Sequence, residues 1–332
     1  MTIAFVYPGQ GSQIIGMAKD LYDNFAVAKN VLDAVCDVLK QDLKTIMFEG
    51  PTDELTFTEN TQPALLAASM MAQKVLETEL GKPIQNLASA VAGHSLGEYS
   101  ALTAAGAFSV ENAAVLVRLR GNAMQKAVPV GQGAMAAILG LEMAQVEELL
   151  RNVPNLGLEM AQVEELLRNV PNKNWVAQIA NDNSPGQIVV SGHTEAIAWI
   201  IEQAKEKGAK RALLLPVSAP FHSSLMEPAA LVMEKALSTV NTSQPKVNVY
   251  ANVTAMTVDH PAEIAPLLVA QITGRVRWTE SISNMHKRGI NTFVEIGTGK
   301  VLSGLIKRIA PEANVYNFGN KDELQSVTAL WM

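Results

Sequence analysis

The sequence predicts an α/β protein. Its body carries a mostly parallel sheet, interrupted by a small ferredoxin-like α+β domain that holds a duplicated helix. Three observations lead there. Short apolar strands alternate with helical stretches along most of the chain, the pattern that builds a parallel sheet. Between Gly133 and Leu215 the order becomes βαββαβ once one copy of an internal repeat is set aside, the split ferredoxin-like pattern. The 332 residues are 48% hydrophobic and 17% charged, enough apolar material for a sizeable core and outside the range of disordered chains.

Ile3–Tyr7 is a continuous apolar run, as a strand buried on both faces requires, and a Gly-rich turn leads to a helix from about Gly16. Gln62–Leu80 is helical, with Pro63 tolerated in the first turn. Val91–His94 is a short strand that runs into Ser95 and a small-residue helix, Leu96–Ala105. Asn112–Val128 is a helix carrying Arg118 and Arg120. The insert follows: strand Met135–Leu139, the duplicated helix, strands Trp175–Ile179 and Gln187–Ser191, helix Glu195–Lys207 and strand Arg211–Leu215. Alternation then resumes with a helix from Leu225, strand Val247–Ala251, helices near 262–272 and 278–288, strand Thr292–Ile296 and helix Lys300–Ile309. Residues 1–128 and 217–332 are therefore expected to form the body, and 129–216 the small domain.

Residues 139–155 and 156–172 are identical at all 17 positions. Repeat arrays use more than two units, so an isolated identical pair reads as a tandem duplication. Met143, Val146, Leu149, Leu150 and Val153 recur at helical spacing, and Pro154 and Gly157 keep the copies from fusing into one rod. At about 100° per residue, 17 residues turn the second apolar stripe by about 260° from the first. Two copies of one helix compete for one docking slot.

Charge and composition exclude several classes. With 26 basic and 32 acidic residues the net charge is −6, the wrong sign for coating nucleic acid. The single cysteine, Cys36, excludes an intramolecular disulfide and a multi-cysteine metal site. No signal peptide or membrane span is visible, so a cytoplasmic location is expected. The Gly9-Gln10-Gly11 turn lacks the third Gly and the Lys of a phosphate loop, and no cofactor is expected.

The chemistry centres on Gly93-His94-Ser95-Leu96-Gly97, a G-x-S-x-G pattern between strand and helix. Such a turn pushes the serine hydroxyl out, and the next backbone N–H lies at a helix start where it can stabilise an oxyanion. Many serines so placed are plain helix caps, but the strand–Ser–helix context favours a nucleophile. Of five histidines, His94 points away from the turn, His193 reads as a cap of the 195–207 helix, and His260 and His286 read as solvated. His222 lies in the rigid, barely polar Pro216–Ser223 loop and is the candidate base. No acid stands out at a strand end between Ser95 and His222, Asp182 reading as a turn residue. A Ser–His pair oriented by something other than a carboxylate is expected.

Several further motifs occur in a fixed order: Pro8-Gly9-Gln10-Gly11-Ser12-Gln13, Thr61-Gln62-Pro63-Ala64, the Ser95 pentapeptide with Glu98, Arg120-Gly121, Pro220–Ser223 and Glu295-Ile296-Gly297. In that order they resemble the malonyl-CoA:acyl carrier protein transacylase family of type II fatty acid synthesis, related to polyketide synthase acyltransferase domains. The resemblance runs from residue 3 to about 318. It implies a hydrolase-like body, a malonyl group carried on Ser95, and His222 as base for both Ser95 and the incoming phosphopantetheine thiol. It implies Gln10 and Leu96 as oxyanion donors, Arg120 as partner of the malonyl carboxylate, and the Gln271 main-chain carbonyl as the group that orients His222. Gln62 would line the pocket, and Phe221 resembles the malonyl-selective variants. Malonyl-CoA and acyl carrier protein would be its partners, and a monomer is expected. Arg275 and Thr298 stand where many members have Pro, which touches loop rigidity rather than chemistry. Arg275, Arg277, Lys287 and Arg288 are candidates for a basic docking patch. A serine esterase or thioesterase, a polyketide-type transferase with another extender unit, and an impaired homologue kept as an interaction module remain the alternatives.

An extra 17-residue excursion costs only about 1–2 kcal/mol by loop-closure scaling. Deleting residues 156–172 is therefore expected to leave acyl transfer nearly unchanged in a carrier-protein assay; an inactive deletion variant would show that both copies matter.

Overall fold

The computed structural model describes residues 2–140, 175–206, 208–217 and 219–332. The duplicated helix, including its predicted docking, lies outside the described residues apart from Leu139 and Gly140.

Ten strands form two five-stranded sheets among the described residues. The first has the order β10-β9-β1-β2-β7, with β1 Ile3–Tyr7, β2 Ala90–Gly93, β7 Asn248–Tyr250, β9 Thr292–Ile296 and β10 Asn314–Phe318. Every pairing in it is parallel. β1 shows why its sequence is apolar without alternation: Ile3, Phe5 and Tyr7 enter one core, and Ala4 and Val6 enter the core on the opposite face. The helix Thr58–Leu80 starts four residues before its expected N-terminus and buries nearly every residue from Thr58 to Val75. It is buried on all sides, buried polar residues such as Thr61 and Gln73 finding hydrogen-bond partners, and it packs on the helices Ala26–Leu39 and Val110–Lys126.

The second sheet has the order β6-β3-β5-β4-β8, with β3 Gly133–Leu139, β4 Ala177–Ser184, β5 Gln187–His193, β6 Arg211–Leu214 and β8 Val276–Arg277. Its first four strands pair antiparallel, and the helix Thr194–Glu206 covers them through Ile197, Ile200 and Ala204. The fifth strand departs from expectation. β8 pairs in parallel with β4 although it lies far outside 129–216, so the two sheets are joined by backbone as well as by packing.

The structure departs from three sequence expectations. Asp182 is not a turn residue: β4 runs through Asn181-Asp182-Asn183-Ser184 with two register shifts, and Thr279 donates to the Asp182 carboxylate at 2.7 Å. His193 does not cap the following helix; its Nδ1 accepts the Val176 N–H at 2.7 Å. His286 is not simply solvated, because its Nε2 meets the Glu312 carboxylate at 2.7 Å. The Glu295 motif is also explained. Its buried carboxylate accepts the Leu302 and Ser303 amides, capping the helix Val301–Ile309.

No helix of the described residues is long and apolar enough to cross a membrane. The turn after β2 depends on close backbone approach. A Cβ on Gly93 would lie 1.8 Å from the Gly97 carbonyl, and one on Gly97 would lie 2.2 Å from the Tyr7 oxygen. Gly93→Ala is expected to destabilise by about 3 kcal/mol or more in urea titration, as an overpacked site that cannot yield. Gly304→Ala, at an open position inside a helix, should be neutral or stabilising by up to about 1 kcal/mol.

Candidate active site

Ser95 sits between β2 and the helix Gly97–Ala104 with φ of 54°, in the left-handed region that β-carbon sterics disfavour. Gly93 and Gly97 permit the turn, and Asn252 locks it. The Asn252 Oδ1 accepts the Ser95 N–H at 2.8 Å, and its Nδ2 donates to the Gly93 carbonyl at 2.7 Å. The Asn252 side chain thus bridges the Gly93 carbonyl and the Ser95 amide, fixing the turn from which the hydroxyl projects.

It meets His222. Ser95 Oγ lies 2.8 Å from Nε2, and His222 itself has φ of 56°. The other ring nitrogen, Nδ1, lies 2.8 Å from the Gln271 carbonyl and 3.1 Å from that of Gly274. Carbonyl oxygens only accept, so Nδ1 carries the proton and Nε2 presents its lone pair to the serine hydroxyl. No carboxylate is needed to set the tautomer. Burial and, next, the Arg120 charge push the His222 pKa down to about 3, so the ring is neutral across the physiological range.

Arg120 is 2% exposed on the helix Val110–Lys126 and closes the site from the other side. Its Nη2 donates to Ser95 Oγ at 3.0 Å and to Gln271 Oε1 at 2.8 Å, while Nη1 donates to Gln62 Oε1 at 2.9 Å. Among the described residues no acceptor meets its buried Nε–H, and no carboxylate pairs with it directly. The Gly121 position explains the close approach of this helix, since a Cβ there would lie 2.7 Å from the Thr58 carbonyl. The result is a buried cation held by neutral oxygens, an arrangement suited to receive an anionic group.

Gln10, Leu96 and Phe221 line the same cleft of about 110 Å³, together with Met135 and Asn181 from the second sheet. Leu96 is the N-cap residue of the helix Gly97–Ala104, so its amide lies at the positive end of that helix beside Ser95. All eight expected site residues therefore meet in one place.

Sequence reasoning missed three others. Asn252 follows β7, where a polar residue after an apolar strand was the available signal. Glu98 was visible as part of the serine motif, yet nothing marked its buried role. Asn183 bonds His94 Nε2 at 2.7 Å, and His94 stacks edge-on against the buried Trp278. For Gln271 the expectation concerned only the main chain; its side-chain amide also donates to the Ser95 carbonyl at 2.9 Å. In the candidate docking patch, Arg275 and Arg277 share the Glu280 carboxylate, which reduces their free charge.

An acyl transferase domain family matches residues 4–315. The chain is 43% identical over 308 residues to a malonyl CoA-acyl carrier protein transacylase of Bacillus subtilis, covering 92% of this chain and 90% of that protein. It is similar to a crystal structure of an acyl-carrier-protein-S-malonyltransferase from Bartonella henselae, with a TM-score of 0.91, 49% identity and 99% of each chain covered. A type II PKS acyl-carrier protein in complex with its malonyl-transacylase supplies another similar chain, with a TM-score of 0.90, 37% identity and coverage of 99% of this chain and 100% of that one.

The His222 ring is expected to stay neutral at pH 5, with the ¹⁵N shifts of an Nδ1-protonated imidazole. Arg120→Ala should raise its titration, because a neighbouring positive charge is removed. A wild-type ring titrating near the ordinary value of about 6.5 would contradict the burial argument.

Proposed function

The chain belongs to the acyl transferase domain family, and on that premise we propose that it transfers a malonyl group from malonyl-CoA to the phosphopantetheine thiol of an acyl carrier protein. The observation that carries this reading is the buried Arg120 guanidinium 3.0 Å from the Ser95 hydroxyl. A malonyl ester on Ser95 places its free carboxylate two carbons beyond the ester carbonyl, within reach of that cation.

His222 Nε2 takes the Ser95 proton as Oγ attacks the thioester carbonyl. The amides of Leu96 and Gln10 stabilise the oxyanion, each contribution being about 3–4 kcal/mol in acyl transfer. Collapse expels the CoA thiolate, which takes the proton back from His222, and leaves the malonyl group on Ser95. In the second half His222 deprotonates the phosphopantetheine thiol. The thiolate attacks the ester, the tetrahedral species collapses, and the proton returns to Ser95. The Gln271 carbonyl holds the ring in one tautomer through both halves. Gln62 keeps the guanidinium in place, and Phe221 walls the acyl pocket. Every step uses groups of this chain and its two substrates, with no cofactor.

We read residues 1–128 and 217–332 as a hydrolase-like body and 129–216 as an inserted ferredoxin-like domain. The fourth-first-third-second order of β3–β6 supports the latter. The working state is a cytoplasmic monomer. A polyketide carrier would be served by the same chemistry, and the similarity to the PKS complex favours keeping that as a second reading. A hydrolase of neutral acyl groups gains nothing from a buried cation.

Radiolabelled malonyl-CoA is expected to label Ser95 and pass label to holo carrier protein, while Ser95→Ala takes none. Arg120→Ala should lose malonyl transfer by about 100-fold or more, as when one partner of a buried charge pair is removed, and should keep or gain acetyl transfer. Unchanged malonyl transfer would sink the carboxylate role. Label lost to water as fast with carrier protein as without it would favour the hydrolase.

A further inference from the structure

Glu98 is a buried carboxylate that the mechanism above does not use. It is 1% exposed, on the helix that follows Ser95. One of its oxygens, Oε2, accepts two bonds: from the Gln271 amide at 2.7 Å and from the Asn252 backbone N–H at 3.0 Å. Each donor continues into the site. Gln271 receives Arg120 on its side-chain oxygen and His222 on its main-chain oxygen, both at 2.8 Å. Asn252 holds the Ser95 amide at 2.8 Å.

We infer that Glu98 is a positioning residue which, in its ionised form, ties Ser95, His222 and Arg120 into one unit through Gln271 and Asn252. The inference rests on the site reading above for the roles of those three residues. The physical argument is one of donor and acceptor count. Both groups that meet Oε2 are N–H donors, so the oxygen must accept twice. A proton on Oε2 would expel one donor, and a proton on Oε1 would leave a neutral carbonyl that holds both donors more weakly than the carboxylate does. Loss of the Gln271 bond loosens the carbonyl that orients His222 and the amide oxygen that holds Arg120. Loss of the Asn252 bond loosens the Ser95 turn.

The surroundings place this event at an accessible pH. Burial raises the Glu98 carboxyl to about 7, opposed by the Asn252 N–H, the Gln271 amide and the Arg120 charge. The charged or titratable groups around it are Arg120 from the helix Val110–Lys126, the neighbouring Tyr99, and His222 and His94 beyond Arg120 and Ser95. Arg120 and Tyr99 do not change charge between pH 5 and 8, His222 stays neutral there, and burial lowers the His94 pKa. Among the groups that bond Gln271, ionisation of Glu98 is therefore the charge change in that range.

The test uses a fluorophosphonate that labels activated serines, so that it reads Ser95 and His222 without requiring malonyl chemistry. The rate of Ser95 labelling by the full-length wild type is expected to fall about tenfold from pH 8 to pH 6. Glu98→Gln keeps an acceptor oxygen but removes the charge; it should label slowly at both pH values, with a flat profile. Glu98→Asp keeps the charge at a shorter reach; its profile should still fall, with the midpoint displaced. A residue with only a packing role would lower the rate and leave the wild-type midpoint in place, and that result in Glu98→Gln overturns the proposal. So does a flat wild-type profile. Should Glu98→Gln not fold, Glu98→Asp decides: a displaced midpoint supports the proposal and an unmoved one overturns it. Failure of malonyl transfer in the labelled-substrate assay would remove the proposed function and leave this readout intact.

Discussion

The bond between His222 Nδ1 and the Gln271 carbonyl, 2.8 Å long, fixes the state of everything around it. A neutral imidazole has one proton to place. With a carbonyl at one nitrogen, the lone pair must appear at the other, and Ser95 Oγ stands there at 2.8 Å. The serine then donates its proton to the ring, and its oxygen remains free to accept from Arg120. The whole sequence of donors and acceptors follows from an oxygen that cannot donate. A carboxylate in the same place would fix the same tautomer and would also place an anion beside Arg120. A carbonyl orients the ring without neutralising the guanidinium.

That distinction matters because Arg120 is the costly component of the site. Removing a guanidinium from water costs several kcal/mol even after the structure relaxes, and an ion pair is the usual offset. Here the offset comes from the amide oxygens of Gln62 and Gln271 and from the Ser95 hydroxyl. Glu98 supplies negative charge one amide away, close enough to moderate the field and too far to form a direct pair. The site keeps a net attraction for an incoming anion while the empty protein still satisfies most of its polar groups.

Much of this was legible in the chain, and the reason differs by element. β1 and β2 announced themselves because a parallel strand buried on both faces must be apolar without alternation. Ser95 was legible because its flanking glycines at 93 and 97 stand between an apolar strand and a small-residue helix. His222 stood out by its setting, and Arg120 by the glycine that follows it. The edge strand β10 was not legible: its Asn314 and Asn317 mask a strand that is only partly covered. Only the first part of β4 was legible, as the end of the expected strand Trp175–Ile179; its continuation was hidden by a run of turn-forming residues, of which Asn181, Asn183 and Ser184 are buried. Asn252 and the Gln271 side chain were invisible for a more general reason. Their roles depend on bonds to residues more than 150 positions away, which no local pattern encodes.

The short span 271–277 has a consequence of its own. At one end its carbonyls hold the imidazole; at the other, Val276 and Arg277 form the edge strand of the second sheet against Asn181 and Asp182. Seven residues therefore serve both sheets at once: the carbonyls that orient the base and the strand that closes the second sheet lie on one unbroken stretch of backbone. The tautomer of the imidazole is set by the same segment that joins the two halves of the fold.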